Sequence, residues 1–349
     1  MIPIAKAQEQ FAPAGVYLNS ATAGLLPTAA FDAVTAALAA ARAGTAQAAD
    51  YDAPLEQARA GFAAVAGVAV DRVAVGSQAS GFVGLVAAAL PDGAEVVVPE
   101  GEFTSVTFPF AAQGRLTVTE APLAELAGAI GPSTAAVAVA AVQSADGTIA
   151  DLPAIAAACR ANNTLSVIDG TQAYGWYPLS AGEFDVTVCS GYKWLLAPRG
   201  TAFMTVRPEV AERLIPLSAN WYAGADRWSS IYGLPLRLSD DARRFDLSPV
   251  WHSWVGAAPA MDLLTEVGVP ALHQHAVGLA RRFCAGVGLP EGDSAIVSVD
   301  LLPGGAEAVA AAGIVAAVRA GRLRLSFHLN NSEADVDTAV AALARFVAN

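Results

Sequence analysis

The chain has 349 residues, 54% of them hydrophobic and only 15% charged, and its 20 basic against 32 acidic residues leave a formal net charge of −12. That much apolar surface supplies a large core and excludes a disordered chain, while the acidic balance excludes nucleic acid, whose phosphates need a clustered positive surface. Three cysteines (Cys159, Cys189 and Cys284) stand far apart with no Cys-x-x-Cys, so neither a disulfide framework nor a metal site is expected, and a reducing cytoplasm is the expected setting.

In chain order, Pro27–Ala41 reads as a helix opened by proline, and Asp52–Ala66 as a second, with Asp52 as its N-cap. A strand at Val73–Val75 leads through Gly76-Ser77-Gln78-Ala79-Ser80-Gly81 into a helix at Phe82–Leu90. Strands are predicted at Glu95–Val98, Leu116–Val118, Ala135–Val142 and Leu165–Ile168, with helices near Leu123–Ile130 and Leu152–Asn162. Val186–Cys189 and Ala202–Val206 read as strands flanking a loop that holds Lys193. This alternation predicts an α/β fold whose mostly parallel sheet is covered by helices on both faces. From Ala219 to Asp246 the chain is rich in aromatics, Gly and Arg and shows no period. Helices at Pro249–Glu266 and Pro270–Val287 follow, then a strand at Ala295–Leu301 and a helix at Ala306–Ala312. Strands near Ile314–Val318 and Leu323–Phe327 precede a last helix from Ser332, where Ser332 and Asp335 have capping-box spacing.

The expected organisation is a large domain over residues 1–245, including an N-terminal substrate loop over 1–30, and a small C-terminal α/β domain over 246–349. Two long uncharged stretches, Val73–Pro91 and Leu126–Ala145, read as a strand with its flanking helix and not as membrane spans. Polar residues and glycines interrupt the first, and Gly131-Pro132 breaks the second. Nothing at Met1–Lys6 reads as a signal peptide.

Of the 20 basic residues 18 are arginine, and only Lys6 and Lys193 are lysine. Lys6, near the start of the chain, reads as a solvated surface charge. A single internal lysine points to chemistry that guanidinium cannot perform, since a desolvated amine loses its proton and condenses with an aldehyde. Asp169 stands at the carboxyl end of an apolar strand, where ligands of open α/β sheets bind, and Lys193 follows the next strand by the same logic. Pyridoxal phosphate requires that pair: an amine for its aldehyde and a carboxylate that keeps its ring nitrogen protonated.

With these residues in place the chain resembles the class V aminotransferase family of fold-type I pyridoxal-phosphate enzymes. The likeness is carried by Tyr17-Leu18-Asn19-Ser20-Ala21-Thr22, by the Asp-x-x-Gln of Asp169 and Gln172, by Ser190-Gly191-Tyr192-Lys193-Trp194 with Pro198-Arg199-Gly200, and by Leu323–Asn330. It implies pyridoxal 5′-phosphate as cofactor and a large domain built on a seven-stranded type of sheet. Lys193 would form the Schiff base and move protons at the substrate Cα, Asp169 would pair with the ring nitrogen, and Gln172 would bond the phenolic oxygen. Thr171 and Phe103 would line the two ring faces, with Tyr192 beside the lysine. Gly76, Ser77, Gln78 and Ser190 would hold the phosphate, in keeping with the affinity of helix N-termini for anions. Arg324 would grip the carboxylate of a small amino-acid substrate, under a loop carrying Asn19 and Ser20. Asp246-Leu247-Ser248 resembles a segment that reaches the neighbouring subunit's phosphate, which implies a homodimer with shared sites and Ser248 as a cofactor contact.

The departures from the pattern bear on the reaction. Cysteine desulfurases of this family stack histidine on the ring, where this chain has Phe103, and they often place histidine before the lysine, where it has Tyr192. No cysteine lies between Gly288 and Arg324, where the desulfurase nucleophile would stand, and Cys189 reads as packing. Around Lys-Trp-Leu and Pro-Arg-Gly the chain resembles ergothioneine-type C–S lyases. The expected activity is therefore a C–S lyase that acts by β-elimination on a small or sulfur-containing α-amino acid. An aminotransferase is the alternative, and a desulfurase or a non-catalytic ligand-binding homologue ranks behind. For Arg324 the competing expectation is a surface pair with Glu333 or Asp335 that seats the last helix. The Trp221, Tyr222, Trp228 and Tyr232 cluster reads either as a substrate wall or as a dimer contact.

Overall fold

A computed structural model describes residues 1–348. The N-terminal part holds α1 (Ile4–Gln8), β1 (Val16–Tyr17), α2 (Thr28–Ala43), α3 (Asp52–Ala66), β2 (Val73–Gly76) and α4 (Ala79–Ala89). Strands and helices then alternate: β3 (Glu95–Pro99), α5 (Thr104–Ala111), β4 (Thr117–Ala121), α6 (Leu126–Ala129), β5 (Thr134–Ala140), α7 (Leu152–Asn162), β6 (Leu165–Asp169), β7 (Val186–Ser190), β8 (Ala202–Val206) and α8 (Pro208–Ala211). The C-terminal part holds α9 (Trp251–Val267), α10 (Val269–Val287), β9 (Ile296–Val299), α11 (Gly305–Ala311), β10 (Ile314–Val315), β11 (Ala317–Arg319), β12 (Arg322–Ser326) and α12 (Glu333–Leu343).

The main sheet has seven strands in the order β2-β8-β7-β6-β5-β3-β4. β8 is antiparallel to both β2 and β7, and every other pairing is parallel, so six of the strands point the same way. The period-two alternation of strand side chains assigns them to two cores. Val73, Val75, Val97, Val139 and Ile168 pack against α3, α7 and α9. Ala74, Val96, Val98, Val167 and Met204 pack against α4 and α5 on the opposite face. Both faces are covered, as the near-continuous apolar strands require.

Two local expectations need correction. Asp52 does not cap α3: the N-cap is Tyr51, and the Asp52 carboxylate accepts hydrogen bonds from Tyr222 Oη and Trp228 Nε1. The single strand expected near Ile314–Val318 is two, with β10 pairing parallel to β1 and β11 joining β12 in a separate sheet. The capping box of Ser332 and Asp335 forms as its spacing predicts. Residues 16–18 thus join the C-terminal part, with Leu18 in a core of Phe283, Val299, Leu325 and Val336. No helix among the described residues is long and apolar enough to cross a membrane.

Candidate active site

The sheet's topology assembles the site. Because β2, β3, β5, β6 and β7 run in one direction, their carboxyl ends share one edge. Along it stand Gly76, the Glu102–Phe103 turn, the Gln143–Ser144 turn, Asp169 and Ser190. That edge is where ligands of open α/β sheets bind.

Asp169 is buried at the end of β6, where Thr171 N donates to its Oδ1 at 2.8 Å. Thr171 Oγ1 accepts from Ser190 N at 3.0 Å, which ties the Asp169 turn to the lysine loop. Burial pushes the Asp169 carboxyl up, and the Thr171 hydrogen bonds and the Lys193 charge pull against it. Lys193 is itself buried, with Nζ 5.3 Å from the centroid of the Phe103 ring and 5.9 Å from that of Tyr192. Desolvation brings its amine down to about 8, opposed by Asp169 and assisted by the charge of Arg324. An amine so poised is half deprotonated near pH 8, and its neutral form is the one a nucleophile and a base both need.

The lysine loop is held rigidly. Trp194 Nε1 donates to Gln172 Oε1 at 2.6 Å, and His328 Nε2 donates to the Trp194 carbonyl at 2.9 Å. Burial takes His328 down to about 3, so this imidazole is neutral and serves as a strut. Gly24 N bonds the Tyr192 carbonyl, and a Cβ at Gly24 would sit 2.1 Å from the Lys193 carbonyl oxygen, so only glycine permits this approach.

Gln172 Nε2 donates to Ala21 O at 2.9 Å and to Ser144 Oγ at 3.0 Å. Ser144 also accepts from Arg324 Nη1, through both its hydroxyl and its carbonyl. Arg324 Nη2 donates to Thr22 Oγ1 at 2.8 Å, while its buried Nε has no partner among the described residues. The pairing of Arg324 with Glu333 or Asp335 is contradicted: Glu333 pairs with Arg282, and Asp335 closes the capping box. Burial and the neighbouring Arg319 lower the Arg324 guanidinium to about 10.

Asn19 bridges to Ser326 and leaves Oδ1 buried without a partner, whereas Ser20 is fully buried with its hydroxyl 3.5 Å from Asn330 Oδ1. Ser77 and Gln78 are exposed where α4 begins, and no side chain caps that helix. Ser248 is exposed, just past Asp246 and Leu247, which are bonded to Val75 in β2. Cys189 is fully buried in the sheet.

Three neighbours of the site have no role assigned from the sequence, although His328 lies within the Leu323–Asn330 segment that carries the likeness. Glu102 is buried and accepts from Phe103 N, Ala140 N and Gln143 Nε2, so it orients the turn that presents Phe103. His328 braces the lysine loop from the C-terminal part, and Arg319 reaches Thr22 beside Arg324. Only the folded chain brings them here.

The donor set fits pyridoxal phosphate. The buried carboxylate lacks a contacting cation, the buried amine makes no hydrogen bond among the described residues, and the start of α4 offers uncapped N–H groups. A family model described as aminotransferase class-V matches residues 16–288. The chain belongs to the class V aminotransferase family. Membership makes it a pyridoxal-phosphate-dependent enzyme, as its motifs imply.

The chain is 29% identical over 232 residues to the uncharacterized aminotransferase YcbU of Bacillus subtilis, a stretch covering 63% of this chain and 61% of that one. It is 29% identical over 290 residues to isopenicillin N epimerase of Streptomyces clavuligerus, covering 74% and 71%. Among solved structures it resembles the cysteine desulfurase CsdA of Escherichia coli, with a TM-score of 0.83 at 20% identity over 99% of this chain and 98% of that one. It also resembles the cystine C–S lyase C-DES, with a TM-score of 0.84 at 20% identity over 95% and 98%. At these identities the structural likeness establishes the shared fold.

Proposed function

We propose that the protein is a C–S lyase that performs β-elimination on a small or sulfur-containing α-amino acid. The observation that carries this reading is the composition of the site around Lys193. One desolvated amine stands beside the apolar ring of Phe103, and all three cysteines are buried thiols. Proton transfer at Cα therefore has a carrier, while sulfur has no exposed thiol to receive it.

In this reading Arg324 takes the substrate α-carboxylate with its planar fork, exchanging its bonds to Ser144 and Thr22. Lys193 removes the Cα proton, and its lowered affinity for protons lets it act near neutral pH. Asp169, its orientation fixed by Thr171, holds a proton at the ring nitrogen, and bound pyridoxal phosphate supplies the electron sink that stabilises charge at Cα. Gln172 gives an N–H to the phenolic oxygen in place of Ser144. Thr171 and Phe103 cover the ring faces and exclude water, with Tyr192 flanking the amine. Gly76, Ser77, Gln78 and Ser190 bind phosphate at the start of α4, and Asn19 and Ser20 close the substrate side.

The enzyme acts as a homodimer in which Ser248 serves the partner's site. The exposed apolar side chains Ile215, Leu217, Tyr232, Leu234 and Leu236 support this. Its free thiols fit a reducing cytoplasm. The similarity to YcbU favours aminotransfer as the second reading, and the similarity to isopenicillin N epimerase favours inversion at Cα. All three begin with the same proton abstraction. Incubation of the purified enzyme with a panel of amino acids separates them. Release of a 2-oxo acid and ammonia with a thiol or sulfide supports the lyase. Stoichiometric conversion of the cofactor to its pyridoxamine form supports aminotransfer, and loss of optical activity without product supports epimerisation.

A further inference from the structure

Arg319 lies at the end of β11, where Ala320 and Gly321 form a turn with φ of 47° and 81°. Positive φ at both central residues is the tight hairpin geometry that fixes register, and here it sets Arg319 opposite Arg322. Arg324 is two residues farther along β12, so the period of two puts Arg319 and Arg324 on one face of the hairpin. Arg322 pairs with Asp300 at 3.2 Å. Arg319 and Arg324 have no carboxylate within 4.0 Å among the described residues. They converge on one oxygen instead, Arg319 Nη2 donating to Thr22 Oγ1 at 3.3 Å and Arg324 Nη2 to the same atom at 2.8 Å.

Two cations sharing a neutral hydroxyl repel each other, and Arg319 contributes to the lowering of the Arg324 guanidinium. In a chain with net charge −12, acids to neutralise them are plentiful elsewhere. The cleft at this point is lined by Phe103, Thr104, Ser144, Arg319 and Ala320, together with Glu102. Glu102 is no counter-ion, because both of its oxygens accept from Phe103 N, Ala140 N and Gln143 Nε2. Arg319 is exposed at the mouth while Arg324 is buried below it. A single α-carboxylate on Arg324 leaves the second guanidinium unmatched.

We propose that the substrate carries a second carboxylate and that Arg319 receives it. The inference rests on the reading above, in which Arg324 holds the α-carboxylate. It narrows the substrate class to acidic or dicarboxylic α-amino acids, with Arg319 as the specificity-determining residue.

The test uses unreactive acids on the cofactor-loaded enzyme, with Kd measured by calorimetry for succinate and glutarate against butyrate and valerate. The wild-type enzyme should bind the diacids at least about tenfold more tightly than the chain-matched monoacids, the worth of one charge-assisted contact. Arg319→Gln should bring that ratio close to one, and Arg319→Lys should keep part of it. A wild-type ratio near one overturns the proposal, as does a ratio that survives Arg319→Gln or a failure of every diacid to bind. Equal weakening of both acid classes in Arg319→Gln also overturns it, assigning Arg319 to the α-carboxylate. The underlying reading fails separately: it falls if Arg324→Ala leaves monoacid binding unchanged.

Discussion

Asp246 offers the sharpest test of how the fold supports its cofactor edge. It is buried together with Arg59 of α3, with Arg59 Nη2 2.6 Å from Asp246 Oδ2 and Nη1 3.1 Å from Oδ1. Asp246 Oδ1 also accepts from Val75 N at 2.9 Å, and Arg59 Nη1 donates to the Val73 carbonyl at 2.6 Å. The pair therefore clamps β2, directly before the Gly76–Gln78 turn, to the segment that ends in Ser248. Asp246→Ala strands a buried guanidinium and an unpaired backbone N–H. Removing one member of a buried pair costs about 3–5 kcal/mol. The lower end applies here, because Glu56 still contacts Arg59 at 3.0 Å. At about 2.1 cal/mol/K per residue, unfolding of a chain of this length carries an entropy of roughly 0.7 kcal/mol/K, so about 3 kcal/mol lowers Tm by about 4 °C. Scanning calorimetry of the cofactor-free protein reads this directly. Fluorescence titration with pyridoxal phosphate should show weaker binding, since the clamp borders the phosphate turn. The double change Arg59→Met with Asp246→Leu should recover much of the loss, as apolar replacements of buried pairs do. A drop in Tm below about 1 °C, or a double variant no better than Asp246→Ala, refutes the clamp.

Lys193→Ala should lose the visible absorbance of the bound cofactor and the borohydride-trappable adduct, and an adduct mapped to Lys6 would sink the assignment. Lys193 also makes a pH prediction for the cofactor-free protein. Its folded pKa of about 8 lies below the ordinary 10.5, so the unfolded chain binds more protons between these values and stability rises with pH across that window. Lys193→Met should therefore be more stable than wild type below pH 8, with the gap closing towards pH 10.5, and a pH-independent gap contradicts the burial argument. Arg324→Ala should lower kcat/KM at least about tenfold while retaining the cofactor spectrum, and Arg324→Lys should recover only part. Survival of kcat/KM within about twofold for every substrate removes the carboxylate grip. Sedimentation at micromolar concentration should show a dimer, with faster cofactor loss in Ser248→Ala; a monomer that keeps its cofactor tightly counts against the shared site.

Much of the candidate site was legible along the chain because its motifs are encoded locally. An isolated internal lysine, an acid at the end of an apolar strand and a glycine–serine turn before a helix each follow from residue type and nearest neighbours. The Ser332–Asp335 capping box formed for the same reason: a cap needs only a few residues of context. Asp52 shows where local reasoning fails. Its carboxylate was claimed by Tyr222 and Trp228, about 170 residues away, and no window around Asp52 contains them. The same holds for the contacts of Glu102, His328 and Arg319, which form only when the fold brings distant segments to the site. Strand periodicity identifies strands but carries no record of which strand lies beside which. Long-range pairing placed β8 antiparallel between β2 and β7, and β1 against β10. That pairing is a property of the whole packed chain, and it decided that Arg324 faces Ser144 and Thr22 and not the acids of the helix that follows it.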